Sequence, residues 1–104
     1  MTQFEVFANP ITRARQVYPY VVVMQAEVAQ IGRESVVAPT APRAAFPAIP
    51  GRLTPVVTIE RNAFVLLVTS LTSLPANSLR TAVTSLADRR EDILAALDYL
   101  FFGV

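Results

Sequence analysis

The most constraining feature of this sequence is the segment Phe64–Thr69, which reads Phe-Val-Leu-Leu-Val-Thr and is apolar at five consecutive positions. Successive side chains of a β-strand point to opposite faces of a sheet, so a strand of this composition has to be covered on both sides. The preceding segment Val56–Glu60 also has strand character, and the short link between the two predicts a tight hairpin with Asn62 in a left-handed conformation. A C-terminal helix can cover one face of this hairpin. The other face can be covered by a second subunit or by the rest of a barrel.

The other strand-like segments are short and are separated by proline, glycine or polar residues. They are Gln3–Ala8, Tyr18–Glu27 with Pro19 at its start, Glu34–Ala38 after a turn at Gly32, and Leu79–Val83. Five of the eight prolines lie between Pro39 and Pro55, which predicts an irregular surface connection held by Phe46, Ile49 and Leu53, with a mobile binding loop as the alternative. Five to seven strands followed by one helix predict an antiparallel α+β fold, a small barrel, with residues 1–104 as one domain.

The last twenty residues, Ser85–Val104, predict one amphipathic helix. Asp88 and Glu91 have the spacing of a capping box, and Asp92 adds a further negative charge to the first turn. At about 100° per residue, one third of the circumference is apolar. This stripe, which we expect to face the core, contains Ile93, Leu94, Leu97, Leu100, Phe101 and Val104.

Phe102 falls on the opposite, solvated side of the predicted helix, together with Glu91, Ala95 and Asp98. Gly103 does not favour a helix, so we expect the backbone to leave the helix there. Two interpretations of this tail are open from the residues alone. In the first, the tail is a frayed end whose aromatic side chains pack onto the core or into a dimer interface. In the second, the tail is an exposed tip that recognises a partner.

The residue types present exclude several kinds of active site. The chain has no cysteine and no histidine, so it lacks disulfides, thiolate metal ligands and the commonest general base. Its three glycines are far apart in sequence, which rules out a phosphate-cradling glycine loop. We therefore predict no cofactor, no metal and no catalytic residue. The alternative is an enzyme that acts on a phosphodiester through Arg13, Arg15, Arg33 and a hydroxyl group.

The overall balance of residues indicates a protein that binds other proteins. Apolar residues make up 53% of the chain and charged residues 16%, which favours an obligate oligomer. A net charge of +1 does not suggest a strong grip on nucleic acid. The longest apolar run, Ala63–Val68, is far shorter than the ~20 residues of a membrane span, and no signal peptide is visible at the start, so a cytoplasmic location is expected.

Eight segments occur in the order and spacing of a known protein family. They are Gln3–Val6, Tyr18–Val21, Val23–Glu27, Val36–Pro39, Leu53–Ile59, Thr69–Pro75, Asp88–Ile93 and Ile93–Val104. Through them the chain resembles the CcdB family of gyrase-poisoning toxins. The resemblance implies an SH3-like antiparallel barrel with extra strands and a C-terminal helix, assembled as a homodimer.

The resemblance also implies a function and its residues. A CcdB-like protein is the toxin of a type II toxin–antitoxin pair, is not an enzyme, and traps the A subunit of DNA gyrase with its DNA cleaved. The family's gyrase-binding residues are its last three, which match Phe102, Gly103 and Val104, although the best-known family pattern has tryptophan in place of Phe102. Residues that match the surface for a CcdA-like antitoxin in kind are Glu27, Val28 and Phe101.

Two other functions are compatible with the same barrel. One is an endoribonuclease toxin of the MazF kind, which needs a basic groove and a general base; the absence of histidine and lysine and the net charge of +1 weigh against it. The other is an inactive CcdB descendant that keeps the dimer and antitoxin contacts but poisons no target.

Overall fold

A computed structural model of the chain describes residues 1–30, 32–46 and 53–103. Within these residues the chain forms seven strands and one α-helix. They are β1 (Glu5–Ala8), β2 (Tyr20–Val23), β3 (Glu34–Pro42), β4 (Val56–Ile59), β5 (Asn62–Leu66), β6 (Thr72–Pro75), β7 (Ala82–Ser85) and α1 (Arg90–Phe102). The strands form one antiparallel sheet in the order β4-β5-β3-β2-β1-β7, with β6 also paired to β3. The sheet curls into a half-barrel, which confirms the predicted barrel-like α+β fold with a C-terminal helix.

Strand β3 is longer than predicted and includes two of the prolines assigned to the irregular segment. Its first half pairs with β6 and its second half with β5, and Pro39 lies between the two sets of partners. The Pro39 carbonyl accepts a hydrogen bond of 3.0 Å from the Leu67 N–H, so the strand passes this position although proline has no N–H to donate. Pro42 is the last residue of β3. The irregular connection therefore begins after Pro42, not at Pro39.

The predicted hairpin is confirmed, but its turn begins one residue earlier than expected and is one residue shorter. Ile59 of β4 pairs directly with Asn62 of β5, and the two residues between them, Glu60 and Arg61, have φ of 48° and 72°. A two-residue loop needs positive φ at both positions if its twist is to match that of the strands. The prediction of a left-handed Asn62 is wrong; its side-chain amide instead donates to the Glu60 carbonyl at 3.1 Å.

The two-sided coverage predicted for β5 is also confirmed. Phe64 and Leu66 belong to the main core, which the helix covers through Ile93 and Ala96. Val65, between them, points to the other face and packs in a small separate cluster. That cluster contains Ala41, Val65 and Leu67, with Tyr18 and Phe46 partly buried against it. Leu53 packs on the main core, whereas Ile49, the third predicted anchor of the long connection, lies outside the described residues.

The predicted strands that correspond to β2 and β7 differ from the observed ones mainly at their ends. Strand β2 begins directly after Pro19, as expected, but ends at Val23 rather than Glu27. Strand β7 begins three residues later than predicted, because a 3₁₀ turn at Ala76–Ser78 follows β6. In β1 successive side chains lie on opposite faces of the sheet, because Val6 lies in the main core and Phe7 in a second cluster.

Phe4 has an unusual backbone conformation that ties the N-terminus to the start of α1. Its φ is 69°, its N–H donates to the Val23 carbonyl at 2.6 Å, and its carbonyl accepts from the Leu86 N–H at 2.9 Å. Its ring is 1% exposed and lies 5.9 Å from the guanidinium carbon of Arg90. Arg90 also donates to the side-chain oxygen of Gln3 at 3.0 Å. These contacts hold the first residues of the chain against the junction between β7 and α1.

Glu5 makes the stability of this N-terminal segment depend on pH. The hydroxyl and the backbone N–H of Thr2 donate to the Glu5 carboxylate, and these bonds lower the pKa of Glu5 below its ordinary value of 4.5. A carboxyl group whose pKa is lowered by folding stabilises the fold above pH 4.5, and this contribution is lost as the pH falls through the pKa of the folded state.

We therefore expect Glu5→Gln to flatten part of the fall in stability below the ordinary glutamate pKa of 4.5. The measurement is the urea midpoint between about pH 7 and about pH 3 in the parent and the variant. Thr2→Ala, which removes the hydroxyl donor and leaves the carboxyl group in place, serves as the matched variant and should flatten the profile less. Parallel profiles for the parent and Glu5→Gln would contradict the assignment.

Candidate functional site at the end of the helix

The start of α1 fixes which residues reach its far end. A 3₁₀ turn at Ala87–Arg89 precedes the helix, the N-cap residue is Arg89, and no side chain caps the helix there. The predicted capping box of Asp88 and Glu91 is therefore wrong, because Asp88 lies inside the preceding turn, one residue too early. An ion pair of 2.8 Å from Arg89 to Asp92 spans the junction instead. Glu91 and Asp92 do lie in the first helical turn, where negative charge is favourable.

The faces of α1 follow the predicted periodicity except in the last turn. Ile93 and Ala96 are buried in the main core, and Leu94 and Leu97 pack against it. Phe101, which the periodicity assigned to the core-facing stripe, is 64% exposed. The main core includes side chains from the first two turns of the helix but not from its last, so the end of α1 extends beyond the core. The prediction that Phe101 is a core residue is wrong.

The exposed end of α1 carries three aromatic side chains, and we call Tyr99, Phe101, Phe102 and Gly103 the helix tip. Phe102 is 76% exposed and Tyr99 42%. The helix ends at Gly103 as predicted, where the glycine is left-handed with φ of 74° and its N–H donates to the Tyr99 carbonyl at 2.9 Å. Val104, the last predicted gyrase-binding residue, lies outside the described residues.

The helix tip has the properties of a binding surface for protein. Large aromatic side chains that are exposed together bury much apolar area when a partner covers them, and they stack on guanidinium groups. The left-handed Gly103 turns the chain away from the helix axis directly after Phe102. Tyr99 was not among the predicted site residues, although the helical periodicity places it on the same side as Asp98 and Phe102.

The predicted antitoxin residues Glu27 and Val28 lie in a separate one-turn 3₁₀ segment, Glu27–Ala29. Among the described residues Val28 is the most exposed large hydrophobic residue, at 87%. Gln25 holds this turn in place, because its amide nitrogen donates to the Ala29 carbonyl and its amide oxygen accepts from the Val36 N–H at 3.0 Å. Sequence reasoning missed this positioning role, since nothing local distinguishes Gln25 from other polar residues.

The predicted antitoxin residues are divided between two elements, because Glu27 and Val28 lie in the turn whereas Phe101 lies in α1 beside the predicted gyrase-binding residues. Among the described residues no hydrogen bond, ion pair or ring contact joins the Glu27–Ala29 turn to the helix tip. The turn presents an aliphatic side chain beside a carboxylate, and the helix tip presents aromatic rings. These surfaces suit two different partner segments.

The described parts of the chain lack the features of two other kinds of site. Residues 1–30, 32–46 and 53–103 contain no group of three or more acidic, histidine or cysteine side chains that could hold a metal ion. No helix in these ranges is long and apolar enough to cross a membrane.

A family model described as CcdB protein matches residues 3–103 of the 104-residue chain. The match includes all seven strands, the whole of α1, the Glu27–Ala29 turn, and both Phe102 and Gly103 of the helix tip. A search of curated proteins finds no match.

Proposed function

The chain belongs to the CcdB family, which supports a toxin of a toxin–antitoxin system, and we propose that it poisons DNA gyrase through its helix tip. In this proposal Phe102, Gly103 and Val104 bind the A subunit of gyrase while its DNA is cleaved, and the bound toxin keeps the break from being resealed. The protein then acts by binding, with no reaction of its own and no cofactor.

The observation that carries this proposal is the exposure of Phe102 at the end of a helix that packs well elsewhere. Burying an exposed aromatic side chain in a partner pocket contributes far more to affinity than most interface contacts, and such residues dominate many interfaces. Among residues 1–30, 32–46 and 53–103 the Phe102 ring belongs to none of the three core clusters, so the packing of this part of the chain does not use it. A binding role accounts for an aromatic residue that folding does not require.

Phenylalanine in place of the family's tryptophan affects how tightly this tip binds. Tryptophan has the larger aromatic face and attracts a guanidinium group more strongly than phenylalanine does. We infer that Phe102 makes the same stacking contact with a smaller surface, so gyrase binding is weaker than a tryptophan at this position would give.

The antitoxin surface in this proposal consists of Glu27, Val28 and Phe101. The exposed Val28 side chain on a turn held by Gln25 is a fixed apolar contact for an extended or helical segment of a CcdA-like protein. Phe101 lies next to Phe102 in the chain, so an antitoxin segment that covers Phe101 also obstructs the gyrase-binding tip. Neutralisation then follows from steric exclusion, as a disordered segment folds onto the toxin.

We also propose that two copies of the chain form a homodimer. An apolar content of 53% in 104 residues and the exposed aromatic tip support an assembly larger than one chain. The family match favours gyrase poisoning over the MazF-like alternative, and the lack of histidine leaves an RNA-cleaving site without its usual base.

Substitution of Phe102 tests the proposal directly. We expect Phe102→Ala to weaken binding to the purified gyrase A subunit by about 30-fold or more, because a buried aromatic anchor contributes roughly 2 kcal/mol or more. Phe102→Trp should tighten binding by about threefold, which corresponds to roughly 0.6 kcal/mol of stronger stacking. The measurement is a titration of the labelled toxin with gyrase A by fluorescence anisotropy.

The matched control is Val17→Ser, which changes another exposed apolar residue, far from α1 in the sequence. Its binding should stay within about twofold of the parent protein, as expected for a side chain outside the interface. Equal affinities for the parent and Phe102→Ala would refute a role for the helix tip. No binding by the parent protein itself would instead identify the chain as an inactive CcdB descendant.

A further inference from the structure

A small cleft at one edge of the sheet brings two arginine side chains together. It has a volume of about 180 Å³ and is lined by Ala8, Pro10, Arg15, Ser78, Arg80 and Thr81. None of these residues belongs to the helix tip or to the Glu27–Ala29 turn. The cleft is therefore separate from the surfaces assigned to gyrase and to the antitoxin.

Strand pairing explains why residues so far apart in sequence meet here. Strands β1 and β7 are antiparallel, with Phe7 opposite Ala82, so the end of β1 lies beside the start of β7. The residues that follow β1 lead to Arg15, and the residues that precede β7 include Arg80. Both arginines therefore line the same edge of the sheet, where one connection leaves it and another enters.

Asn9 holds the Arg15 side of the cleft in a fixed shape. Its side chain is 4% exposed; its amide nitrogen donates to the Tyr18 carbonyl at 2.9 Å, and its amide oxygen accepts from the Ile11 N–H at 3.0 Å. The Asn9 backbone carbonyl accepts a hydrogen bond of 2.5 Å from Nε of Arg15. The Arg15 guanidinium is thus positioned through Nε, while within the described residues its two terminal nitrogens have no hydrogen-bond partner.

The charge of the cleft is not balanced by the protein. None of the six lining residues is acidic, and the one ion pair of the described chain joins Arg89 to Asp92 elsewhere. Arg80 makes no hydrogen bond or ion pair within residues 1–30, 32–46 and 53–103. Two guanidinium groups beside one cleft repel each other. An anion bound between them is attracted to both and offsets this repulsion.

The donors at the cleft match one class of anion best. Each guanidinium can present two parallel N–H groups, and the Thr81 hydroxyl adds another donor, while the Ser78 hydroxyl donates to the Pro75 carbonyl at 2.6 Å. This number of donors exceeds what the two oxygens of a carboxylate can use in bidentate fashion, but suits a tetrahedral oxyanion. We infer that the Arg15–Arg80 cleft binds a single phosphate group, as a free anion or as part of a nucleic-acid strand.

A titration of the full-length protein with inorganic phosphate, at constant ionic strength, tests this inference. Nuclear magnetic resonance of the arginine Nε–H groups and of the Ser78 and Thr81 amides reports on the cleft itself. We expect saturable shifts with phosphate and none with chloride. Arg80→Gln should weaken phosphate binding by about tenfold, because it removes one charge-assisted, bidentate contact.

Arg13→Gln is the matched control, because it removes the same charge from the same connection without changing a residue that lines the cleft. It should change phosphate affinity by less than about twofold, as expected for an exposed charge screened by salt. Arg15→Gln should weaken binding as Arg80→Gln does. Arg15→Gln also removes the hydrogen bond from Nε to the Asn9 carbonyl. If this loss disturbs the fold of the Arg15→Gln variant, Arg80→Gln alone tests whether the cleft binds phosphate.

A second titration separates the two sources of phosphate. Short single-stranded DNA is compared with and without a 5′-phosphate: a need for the terminal group identifies a monoester, and equal binding identifies the strand backbone. Either result supports a phosphate site if Arg80→Gln weakens it. The inference is overturned if phosphate causes no saturable shift, if chloride causes the same shift, or if Arg80→Gln weakens binding no more than Arg13→Gln does.

Discussion

Replacing Phe4 by alanine is expected to lower the free energy of unfolding by about 3–5 kcal/mol, as deletion of a buried aromatic ring usually does. The ring is fully buried in the main core, and it lies beneath the Arg90 guanidinium at the start of α1. Its removal leaves a cavity between the sheet and the helix and deprives Arg90 of its aromatic contact. This is a large share of the roughly 5–15 kcal/mol that stabilises an ordinary domain.

The comparison with glycine at the same position tests the backbone strain. Phe4 has φ of 69°, a left-handed conformation that is unfavourable by about 1–2 kcal/mol for any residue with a Cβ atom. The alanine variant keeps this strain, and the glycine variant is free of it. Glycine, however, lowers the free energy of unfolding by about 0.5–1 kcal/mol, because it gives the unfolded chain more conformational freedom. We therefore expect Phe4→Gly to be less destabilising than Phe4→Ala, by up to about 1 kcal/mol.

Val6 supplies the matched control for this comparison. It lies in β1, two residues after Phe4, is fully buried in the same core cluster, and has a backbone that is not left-handed. Urea unfolding of Val6→Ala and Val6→Gly should show the usual order, with glycine the more destabilising by about 0.5–1 kcal/mol. If glycine is more destabilising than alanine at position 4 as well as at position 6, the backbone conformation of Phe4 is not strained in solution.

The sequence predicts elements better than it predicts their ends, and the hairpin shows why. Its existence follows from two apolar strands and a short polar link, which are local features. The position of its turn depends on the pairing of Ile59 with Asn62, because shifting that register by one residue would turn the apolar side chains to the wrong face. Asn62 has the stronger left-handed preference, but register places the turn at Glu60 and Arg61.

Phe4 and Pro39 are cases in which tertiary structure decides against local preference. No local rule favours a left-handed phenylalanine; its bonds to Val23 and to Leu86 join residues distant in sequence. Likewise, Pro39 was expected to interrupt regular structure, yet β3 continues through it because its partner changes there from β6 to β5. Both outcomes depend on which strands are neighbours, and composition does not specify that.

The candidate site was partly predictable because a helix has a simple period. Rotation by about 100° per residue places Phe102 on the solvated side, as observed. The same rule places Phe101 toward the core, and it fails there because periodicity gives the direction of a side chain but not the length of the core beneath it. The Arg15–Arg80 cleft was not predictable at all, since the pairing of β1 with β7 creates it.

Ending the chain at Phe101 is expected to abolish growth inhibition in a gyrase-sensitive bacterium while antitoxin binding persists. The truncation removes Phe102, Gly103 and Val104, the three residues proposed to bind gyrase, and keeps Glu27, Val28 and Phe101 of the antitoxin surface. The loss of a central aromatic anchor is expected to weaken binding by about 30-fold or more, enough to abolish gyrase capture at ordinary expression levels. The measurements are colony formation after induction and the amount of gyrase-linked DNA breaks.

The truncated protein should remain folded, because the two described residues that it lacks are exposed. It loses the hydrogen bond from the Gly103 N–H to Tyr99 and brings a carboxylate to the end of the helix dipole, which together cost about 1 kcal/mol. Val6→Ala, which removes buried methyl groups from the main core at a loss of about 1 kcal/mol or more but leaves the last three residues intact, should remain toxic. If the truncated chain kills as the full chain does, or if it no longer binds antitoxin, then Phe102, Gly103 and Val104 are not the separate gyrase-binding element that the exposure of Phe102 indicates.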